Sequence, residues 1–300
     1  MLFCWSIFTV FYITYRAEKQ MTTNKTWLVT GASRGLGLVL VKQLLAAGYN
    51  VAATTRNRAS LIRDVGPENA NFLPVTMDLN SEESVNTAVA GTLAHFGAID
   101  VVVNNAGFGQ TGTLEELSDA EARRNFDVNV FGMLNVIRAV MPHLRTRNSG
   151  HIINISSMAG IQGYIPGWGV YCGAKFAVAG LTEALAAEVK EFGINVSLVY
   201  PGHMRTSFLA EGSVMLPSHP VAAYASVRKN EEMAKQQMDG TQMGDPEKAA
   251  ALLIKISQLT SPPLHYFMGE DVWQAAQQKI ETLREALAAG KADALSIGFD

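Results

Sequence analysis

The sequence has few residues that could crosslink the chain or bind a metal ion. Its 300 residues include only two cysteines, Cys4 and Cys172, and its six histidines form no pair at zinc-binding spacing. We therefore expect no disulfide framework and no metal site. Two free thiols fit a reducing compartment, so the sequence predicts a cytoplasmic protein.

Charged residues are also scarce, and neither sign dominates. They make up 17% of the chain, and the formal net charge is −3 at pH 7. So small a charge gives no electrostatic reason to expect nucleic acid or an anionic membrane as partner. The hydrophobic share of 48% is enough for a large core, and α/β domains reach this length undivided.

The first 20 residues differ from the rest of the chain. Residues 1–15 are strongly apolar and aromatic, and the sequence turns polar at Arg16. A membrane span needs roughly 20 apolar residues, and a signal peptide would carry a basic start and a small-residue cleavage site. Three interpretations stay open: an upstream extension preceding a start at Met21, a membrane anchor that would bring the protein to a membrane, or a targeting segment.

From residue 26 onward, short apolar runs alternate with longer amphipathic stretches. The pattern predicts strands at 27–30, 50–54, 70–76, 99–103, 151–155 and 195–200, and helices at 36–47, 81–96, 118–144 and 174–192. Repeated strand–helix units indicate a parallel sheet covered by helices on both faces. We therefore predict an α/β fold with a doubly wound, Rossmann-type sheet, forming one domain over residues 21–300.

The segment from His203 to Asp245 does not follow this alternation. It contains five of the 12 methionines, with Pro217 and Pro220 between them. Flexible thioethers suit a surface that adapts to an apolar ligand, and the segment follows the carboxyl end of a strand. We predict a substrate lid over 203–245; the alternative is an irregular surface segment with incidental methionines.

A glycine-rich turn joins the first strand to the first helix. Such glycines permit a tight turn, the approach of a pyrophosphate, or close packing of helix on strand, and the helix N-terminus offers N–H groups to phosphates. The turn therefore predicts a dinucleotide site. Its predicted contributors are Gly31, Ser33, Arg34, Gly35, Leu36 and Gly37.

Further motifs follow in a fixed order. They are Asp78-Leu79, Asn104-Asn105-Ala106-Gly107, Asn129-Val130-Phe131-Gly132, Ser156-Ser157, Tyr171-Cys172-Gly173-Ala174-Lys175 and Pro201-Gly202. With the TGxxxGxG spacing of the glycine turn, they resemble the single-domain branch of the short-chain dehydrogenase/reductase family from Thr26 to Met268. The resemblance implies an oxidoreductase that moves a hydride between a nicotinamide and a carbonyl or secondary-alcohol carbon. It adds these residues to the implied cofactor site: Asp78, Leu79, Asn105, Ala106, Gly107, Tyr171, Lys175, Pro201, Gly202, Met204 and Thr206.

The second predicted strand ends in Thr54-Thr55-Arg56. NAD-specific sites place a carboxylate there to hold the ribose 2′-hydroxyl, whereas NADP sites use arginine. Arg34 in the glycine turn is a second guanidinium that could bind a 2′-phosphate. We predict a preference for NADP(H), with NAD(H) possible; alternatively, Arg56 and Arg58 are solvated loop charges.

The predicted chemistry centres on Tyr171. Lys175 lies four residues later, so on a helix both side chains share one face. An ammonium and an oxidised nicotinamide would both lower the phenol pKa from about 10, which suits proton transfer near neutrality. The resemblance further implies that Ser157 orients the substrate oxygen and that Asn129 holds a water relaying protons from Lys175.

Ser157 lies 14 residues before Tyr171, more than is usual in the family. We interpret this as one extra residue in the loop Gly160–Gly169, whose Tyr164, Pro166 and Trp168 we expect to line the substrate pocket. Ser156 is the structural alternative to Ser157. Cys172 is expected to be a buried thiol, and His203 could face the nicotinamide carboxamide or the substrate.

Several interpretations of the function stay open. A dinucleotide-binding redox sensor without turnover is the main alternative, and an epimerase of the extended branch is disfavoured by the glycine spacing. Residues 201–206 and 267–269 look similar to the branch with 17β-hydroxysteroid dehydrogenase-like proteins. We expect a small apolar carbonyl or alcohol substrate. The resemblance also implies a homo-oligomer formed through helices 118–144 and 174–192.

Overall fold

The computed structural model describes residues 25–209, 212–238 and 240–299. The interpretations of residues 1–20 lie outside these ranges. The strands are β1 (Thr26–Val29), β2 (Asn50–Thr55), β3 (Phe72–Thr76), β4 (Val101–Asn104), β5 (Gly109–Gln110), β6 (Gly150–Ile155), β7 (Ile194–Pro201), β8 (Val214–Met215) and β9 (His265–Met268). The helices are α1 (Gly35–Ala46), α2 (Arg58–Val65), α3 (Glu82–Phe96), α4 (Asp119–Phe126), α5 (Gly132–Arg147), α6 (Gly169–Glu188), α7 (Ala225–Met238), α8 (Pro246–Ser257), α9 (Glu270–Ala289) and α10 (Lys291–Leu295).

Seven strands form one parallel sheet in the order β3-β2-β1-β4-β6-β7-β9. The chain proceeds outward from β1 to β3 and then returns to place β4 on the other side of β1. This reversal opens a crevice at the carboxyl ends of β1 and β4, where doubly wound sheets bind ligands. The predicted Rossmann-type fold is confirmed, although α2 and β9 were not predicted.

The sheet separates two hydrophobic cores. Side chains alternate along each strand, so Leu28 faces one core and Trp27 and Val29 face the other. Every residue of β1 and β4 is buried, which explains why these strands have continuous apolar sequences rather than alternating ones. Each fully buried Leu or Val contributes about 1.5–3 kcal/mol, and these cores hold the strand ends in place.

The predicted helix 118–144 is interrupted. α4 begins after Ser118, whose side chain forms a capping box with Glu121, and it continues through a π-helical segment, Asp127–Phe131, into α5. The prediction of one regular α-helix is therefore wrong at its centre. Such π segments frequently occur at functional sites, and this one contains Asn129.

The predicted helix 174–192 begins earlier, at Gly169, and ends at Glu188, before a 3-10 turn over Lys190–Phe192. Tyr171 and Lys175 therefore lie on the same helix, α6. Among the described residues α6 is the one helix that is long and apolar enough to cross a membrane. Its buried residues instead pack in the core next to β7.

Candidate active site

The glycine turn and the loop after β4 are fastened together by backbone and side-chain hydrogen bonds. Thr30 Oγ1 accepts from the N–H groups of Asn105 and Ala106, both at 3.0 Å. Asn105 Nδ2 donates to the Thr30 and Gly31 carbonyls at 2.9 and 3.1 Å. Gly31 has φ +64°, and a Cβ there would lie 2.6 Å from Ala106 Cα. Only glycine allows this close approach.

The N-terminus of α1 faces the resulting crevice. Its N-cap residue, Arg34, makes no side-chain capping bond, so the first helical N–H groups are free of a side-chain cap. Gly35 has φ +57°, and a Cβ there would meet nothing closer than 3.8 Å. An open, uncapped helix start fits the diphosphate of a dinucleotide. The residues present therefore fit the cofactor that the turn predicts.

One continuous cleft runs from this turn to Tyr171. All residues predicted for the cofactor site line it except Gly37. Gly37 lies behind the turn, where a Cβ would come within 2.5 Å of Asn105 Nδ2 and 2.6 Å of the Gly31 carbonyl oxygen. The absence of a side chain at Gly37 thus lets α1 pack closely against the glycine turn and the loop after β4.

Cations dominate the cleft wall. Arg34, Arg56, Arg124 and Lys175 line it, and Asp78 is the one carboxylate among its described residues. Arg34 also donates from Nη2 to the Gly212 carbonyl at 2.9 Å. Arg58 does not line the cleft, because its guanidinium binds the Pro74 carbonyl and Glu68. The sequence did not point to Arg124, which comes from α4 and stacks on Phe108 at 5.7 Å.

Tyr171 and Lys175 are both buried. Lys175 Nζ donates to the Ile155 carbonyl at 3.0 Å and lies 5.8 Å from the centre of the Tyr171 ring. Burial lowers the pKa of Lys175 to about 8. Burial also raises the pKa of Tyr171, and the neighbouring Ser157 hydroxyl only partly opposes this. The predicted lowering of the phenol pKa by Lys175 is therefore not found, because desolvation outweighs the other influences.

The two serines at the end of β6 have different surroundings. Ser157 lines the cleft close enough to Tyr171 to oppose the rise in its pKa, and its Oγ accepts a hydrogen bond from Ala159 N at 3.2 Å. Ser156 Oγ donates to the Lys175 carbonyl at 3.0 Å. Ser157 therefore keeps its place beside the phenol despite its unusual spacing from Tyr171.

The loop between these serines and α6 contributes less to the cleft than predicted. Trp168 lines it, as does Ile165. Tyr164 and Pro166 do not: the Tyr164 side chain is 69% exposed, and its ring lies 5.3 Å from Lys279 Nζ on α9. The turn Ile165–Trp168 directs Tyr164 outward, which the sequence could not show.

Asn129 lies buried in the π segment, next to the cleft rather than in its wall. Its Nδ2 donates to the carbonyls of Phe108 at 3.0 Å and Asn125 at 2.9 Å. Its Oδ1 is buried and has no hydrogen-bond partner among the described residues. A Cβ on Gly107 would clash with this oxygen and lie 3.5 Å from Lys175 Nζ. The free acceptor and the amine thus approach the same glycine.

The segment 203–245 contributes an apolar wall to the cleft. Phe208 and Met215 line it, and the Phe208 ring lies 6.1 Å from the Tyr171 ring, which also meets Trp168 at 5.6 Å. Of the segment's methionines whose side chains the structure describes, only Met204 and Met215 line the cleft. Met233 and Met243 are exposed, so the expectation that the methionines form the pocket surface holds for two of them.

His203 and Cys172 are both held by neighbours. Asp271 Oδ2 accepts from the backbone N and Nδ1 of His203, both at 2.8 Å. His203 lines the cleft with that ring nitrogen already bonded. Cys172 is buried, and burial raises its pKa, which agrees with an unreactive thiol.

Comparison with known proteins identifies the family. A family model described as short chain dehydrogenase matches residues 25–214. The chain belongs to this family. It is an oxidoreductase that acts on CH–OH donors.

Individual relatives agree with the family. The 3-ketodihydrosphingosine reductase of Bacteroides thetaiotaomicron is 35% identical over 244 residues, covering 81% of this chain and 87% of that protein. Retinol dehydrogenase 8 of Bos taurus is 34% identical over 254 residues, 80% of either chain. The crystal structure of a short-chain dehydrogenase from Streptomyces avermitilis covers 91% of this chain and 100% of its own, with a TM-score of 0.83 and 33% identity.

Proposed function

We propose that this protein uses NADP(H) to interconvert an apolar carbonyl compound and its secondary alcohol, with Tyr171 transferring the proton. The observation that carries the proposal is that one cleft joins the uncapped glycine turn to Tyr171, Ser157 and Lys175. A nicotinamide bound in it would supply or accept the hydride. Coenzyme and substrate would then lie in the same cleft as the proton donor, Tyr171.

Each residue has a role that follows from its position. Ser157 and Tyr171 line the same part of the cleft, so their two hydroxyls could hold one substrate oxygen between them. The raised pKa of Tyr171 keeps its proton in place at neutral pH, ready for an oxygen that gains negative charge. In the oxidative direction, the phenol must lose its proton, and the positive charge of an oxidised nicotinamide would favour this. Asn129 would hold a water that links Lys175 to solvent.

Substitution of Tyr171 by phenylalanine tests the mechanism. We expect kcat to fall by about 10²–10⁴-fold, the usual contribution of a general acid or base. The dissociation constant for NADPH and the unfolding midpoint should stay unchanged, because the ring remains. Tyr164→Phe is the matched control, since that ring is exposed and outside the cleft. Undiminished turnover in Tyr171→Phe would show that another group transfers the proton.

Arg34 and Arg56 support the preference for NADP(H). Both line the cleft, while β2 ends in Thr54 and Thr55 without a carboxylate. We expect Arg56→Asp with Arg34→Ser to raise the KM for NADPH by about 10–100-fold, because charge-assisted bonds to a phosphate are lost. The KM for NADH should not rise, since NADH lacks the 2′-phosphate. Equal losses for both coenzymes would contradict the assignment. Arg58→Ser is the control.

The cleft wall formed by Trp168, Phe208 and Met215 supports an apolar substrate, with segment 203–245 acting as its lid. The names of two relatives, a 3-ketodihydrosphingosine reductase and a retinol dehydrogenase, fit such a pocket. The resemblance to 17β-hydroxysteroid dehydrogenase-like proteins adds steroids to the candidates. Absorbance at 340 nm with long-chain, retinoid and steroid carbonyls would separate these classes.

We also propose a cytoplasmic homo-oligomer. Phe131, the last residue of the π segment before α5, and Phe176 on α6 are exposed by 54% and 39%, and these helices are the surfaces that the family resemblance implies. Light scattering should give at least twice the mass of one chain. A monomer at micromolar concentration would contradict the oligomer, and membrane sedimentation of the full chain would contradict the location.

A further inference from the structure

Glu116 is a buried carboxylate outside the proposed catalytic group. It lies in the segment between β5 and α4, and its side chain is fully buried. It accepts hydrogen bonds from the N and Oγ1 of Thr113, both at 3.0 Å, and from Val221 N at 2.9 Å. It also forms an ion pair with Arg228. A buried charge is tolerated only when it is paired and hydrogen-bonded in this way.

The partners of Glu116 come from two parts of the chain. Thr113 belongs to its own turn, whereas Val221 and Arg228 belong to segment 203–245. Arg228 further donates from Nη2 to the Val221 carbonyl at 2.9 Å, so the three residues form one closed set. Glu116 therefore attaches the start of α7 to the chain that follows β5.

The same face of α7 rests on the loop that carries Trp168. Val227 Cγ1 would lie 3.2 Å from a Cβ on Gly167, and the Glu231 carboxylate would clash with it. The Gly167 carbonyl in turn accepts from Gly112 N at 2.8 Å. A residue that fixes α7 thus also fixes Gly167, and with it the ring of Trp168 beside Tyr171.

A second connection joins the same segments closer to the cleft. β8 pairs in parallel with β5 through Gly109 N to the Ser213 carbonyl at 2.8 Å and Thr111 N to the Met215 carbonyl at 2.9 Å. This pairing places Met215 in the cleft wall. It is only two residues long on each strand, so it needs support from elsewhere to hold the segment in place.

We propose that Glu116 is a positioning residue that sets the shape of the substrate pocket by fixing segment 203–245 against the Trp168 loop. The inference rests on the proposed function, since it concerns the substrate end of the same cleft. It assigns Glu116 no contact with substrate or cofactor. We expect a change at Glu116 to alter the binding of large apolar substrates, which need Trp168, Phe208 and Met215 together. Coenzyme binding should not change.

Glu116→Gln tests this with little change in volume. We expect the KM for a large apolar carbonyl substrate to rise by about tenfold or more, because the partly buried Arg228 loses its charged partner and α7 is no longer fixed. A small ketone should lose less than about threefold, and the NADPH dissociation constant should stay within about twofold. Glu115→Gln is the matched control, because its contact with Tyr224 is exposed. Arg228→Met should reproduce the effect, and combining both changes should add little.

Two results from these binding and kinetic measurements would overturn the proposal. One is an unchanged ratio of large-substrate to small-substrate KM in Glu116→Gln. The other is a parallel loss of coenzyme affinity, which would make Glu116 a general structural residue. If Glu116→Gln does not fold, Arg228→Lys provides the milder test.

Limited proteolysis separates this proposal from the proposed function. Cleavage by trypsin at Arg228 or Lys229 should be faster in Glu116→Gln than in the unchanged chain, whether or not any carbonyl is turned over. If no carbonyl substrate is turned over, but Glu116 still protects the lid from cleavage by trypsin, only the proposed function is refuted. Equal cleavage rates would refute the role of Glu116.

Discussion

Adjacent residues at the end of a strand can have opposite roles because their side chains point in opposite directions. Ser156 turns into the protein and binds the Lys175 carbonyl, while Ser157 turns into the cleft beside Tyr171. The sequence supplied both serines but not their directions. Spacing to Tyr171 alone favoured Ser157 by only one residue, since both serines lie farther from Tyr171 than is usual in the family.

The serine pair gives a prediction at this scale. Ser157→Ala should lower kcat by about 10–100-fold, because one hydroxyl that binds the substrate oxygen is lost, and should lower the free energy of unfolding by no more than about 1 kcal/mol, because the hydrogen bond from Ala159 N is also lost. Ser156→Ala should lower the free energy of unfolding by about 1 kcal/mol with kcat within about twofold of the unchanged enzyme. Steady-state kinetics and urea denaturation of both variants provide the measurement. The reverse assignment of effects would exchange the roles of the two serines.

At the scale of single helices, two glycines that both lie within amphipathic helices differ in what surrounds them. A methyl group added at Gly91 on α3 would have nothing within 4 Å, whereas a methyl group on Gly37 of α1 would meet Asn105 and the Gly31 carbonyl. Gly91→Ala should therefore raise the free energy of unfolding by about 0.5–1 kcal/mol.

Gly37→Ala should instead lower stability by about 1–3 kcal/mol, as overpacking does, and weaken coenzyme binding by displacing the glycine turn. Urea denaturation and NADPH fluorescence titration measure the two effects. A stabilising Gly37→Ala would show that α1 can move away from the turn at no cost.

The elements also show which features local sequence can reveal. The buried parallel strands were predicted to within two residues at each end, because a strand covered on both faces requires an apolar run. The π segment was not predicted, because one added residue in a helical turn barely alters the spacing of apolar residues around Asn129. α2 is short and polar, and β9 has only four residues, half of them partly exposed. Neither element shows a clear hydrophobic periodicity in the sequence.

At the scale of the whole molecule, one part of the cleft could be predicted from the sequence and the other part could not. Its sheet-edge residues, from Gly31 to Gly202, occupy strand ends, so motif order was enough to predict them. Arg124, Phe208 and the Glu116–Arg228 pair come together only through tertiary packing between segments about 100 residues apart. Sequence reasoning from one chain has no signal for such pairs. The substrate end is therefore the part that required the structure.

Global stability should depend on the protonation of His151, which lies buried in β6. Its Nε2 lies 2.9 Å from Ser197 Oγ on β7, so it joins two central strands. Burial, with a smaller effect of Lys25, lowers its pKa from 6.5 to about 4. Between these values the unfolded chain binds a proton that the folded chain does not, so stability is lost as the pH falls from 6.5 to 4. The full loss is about 3 kcal/mol.

Other groups titrate in the same pH range, so the test must compare the unfolding free energy of the unchanged chain with that of a variant that lacks the His151 imidazole. His143, whose pKa is also lowered by burial, adds a loss of the same sign, whereas Glu231, whose pKa burial raises to about 7, stabilises the fold as the pH falls. His151→Gln keeps a polar partner for Ser197 and removes only the one titration. The unfolding free energy of the unchanged chain minus that of His151→Gln should decrease by about 2–3 kcal/mol between pH 7 and pH 4.5, measured by urea denaturation at several pH values. A difference that is constant with pH would mean that His151 is protonated in the folded protein as readily as in the unfolded chain.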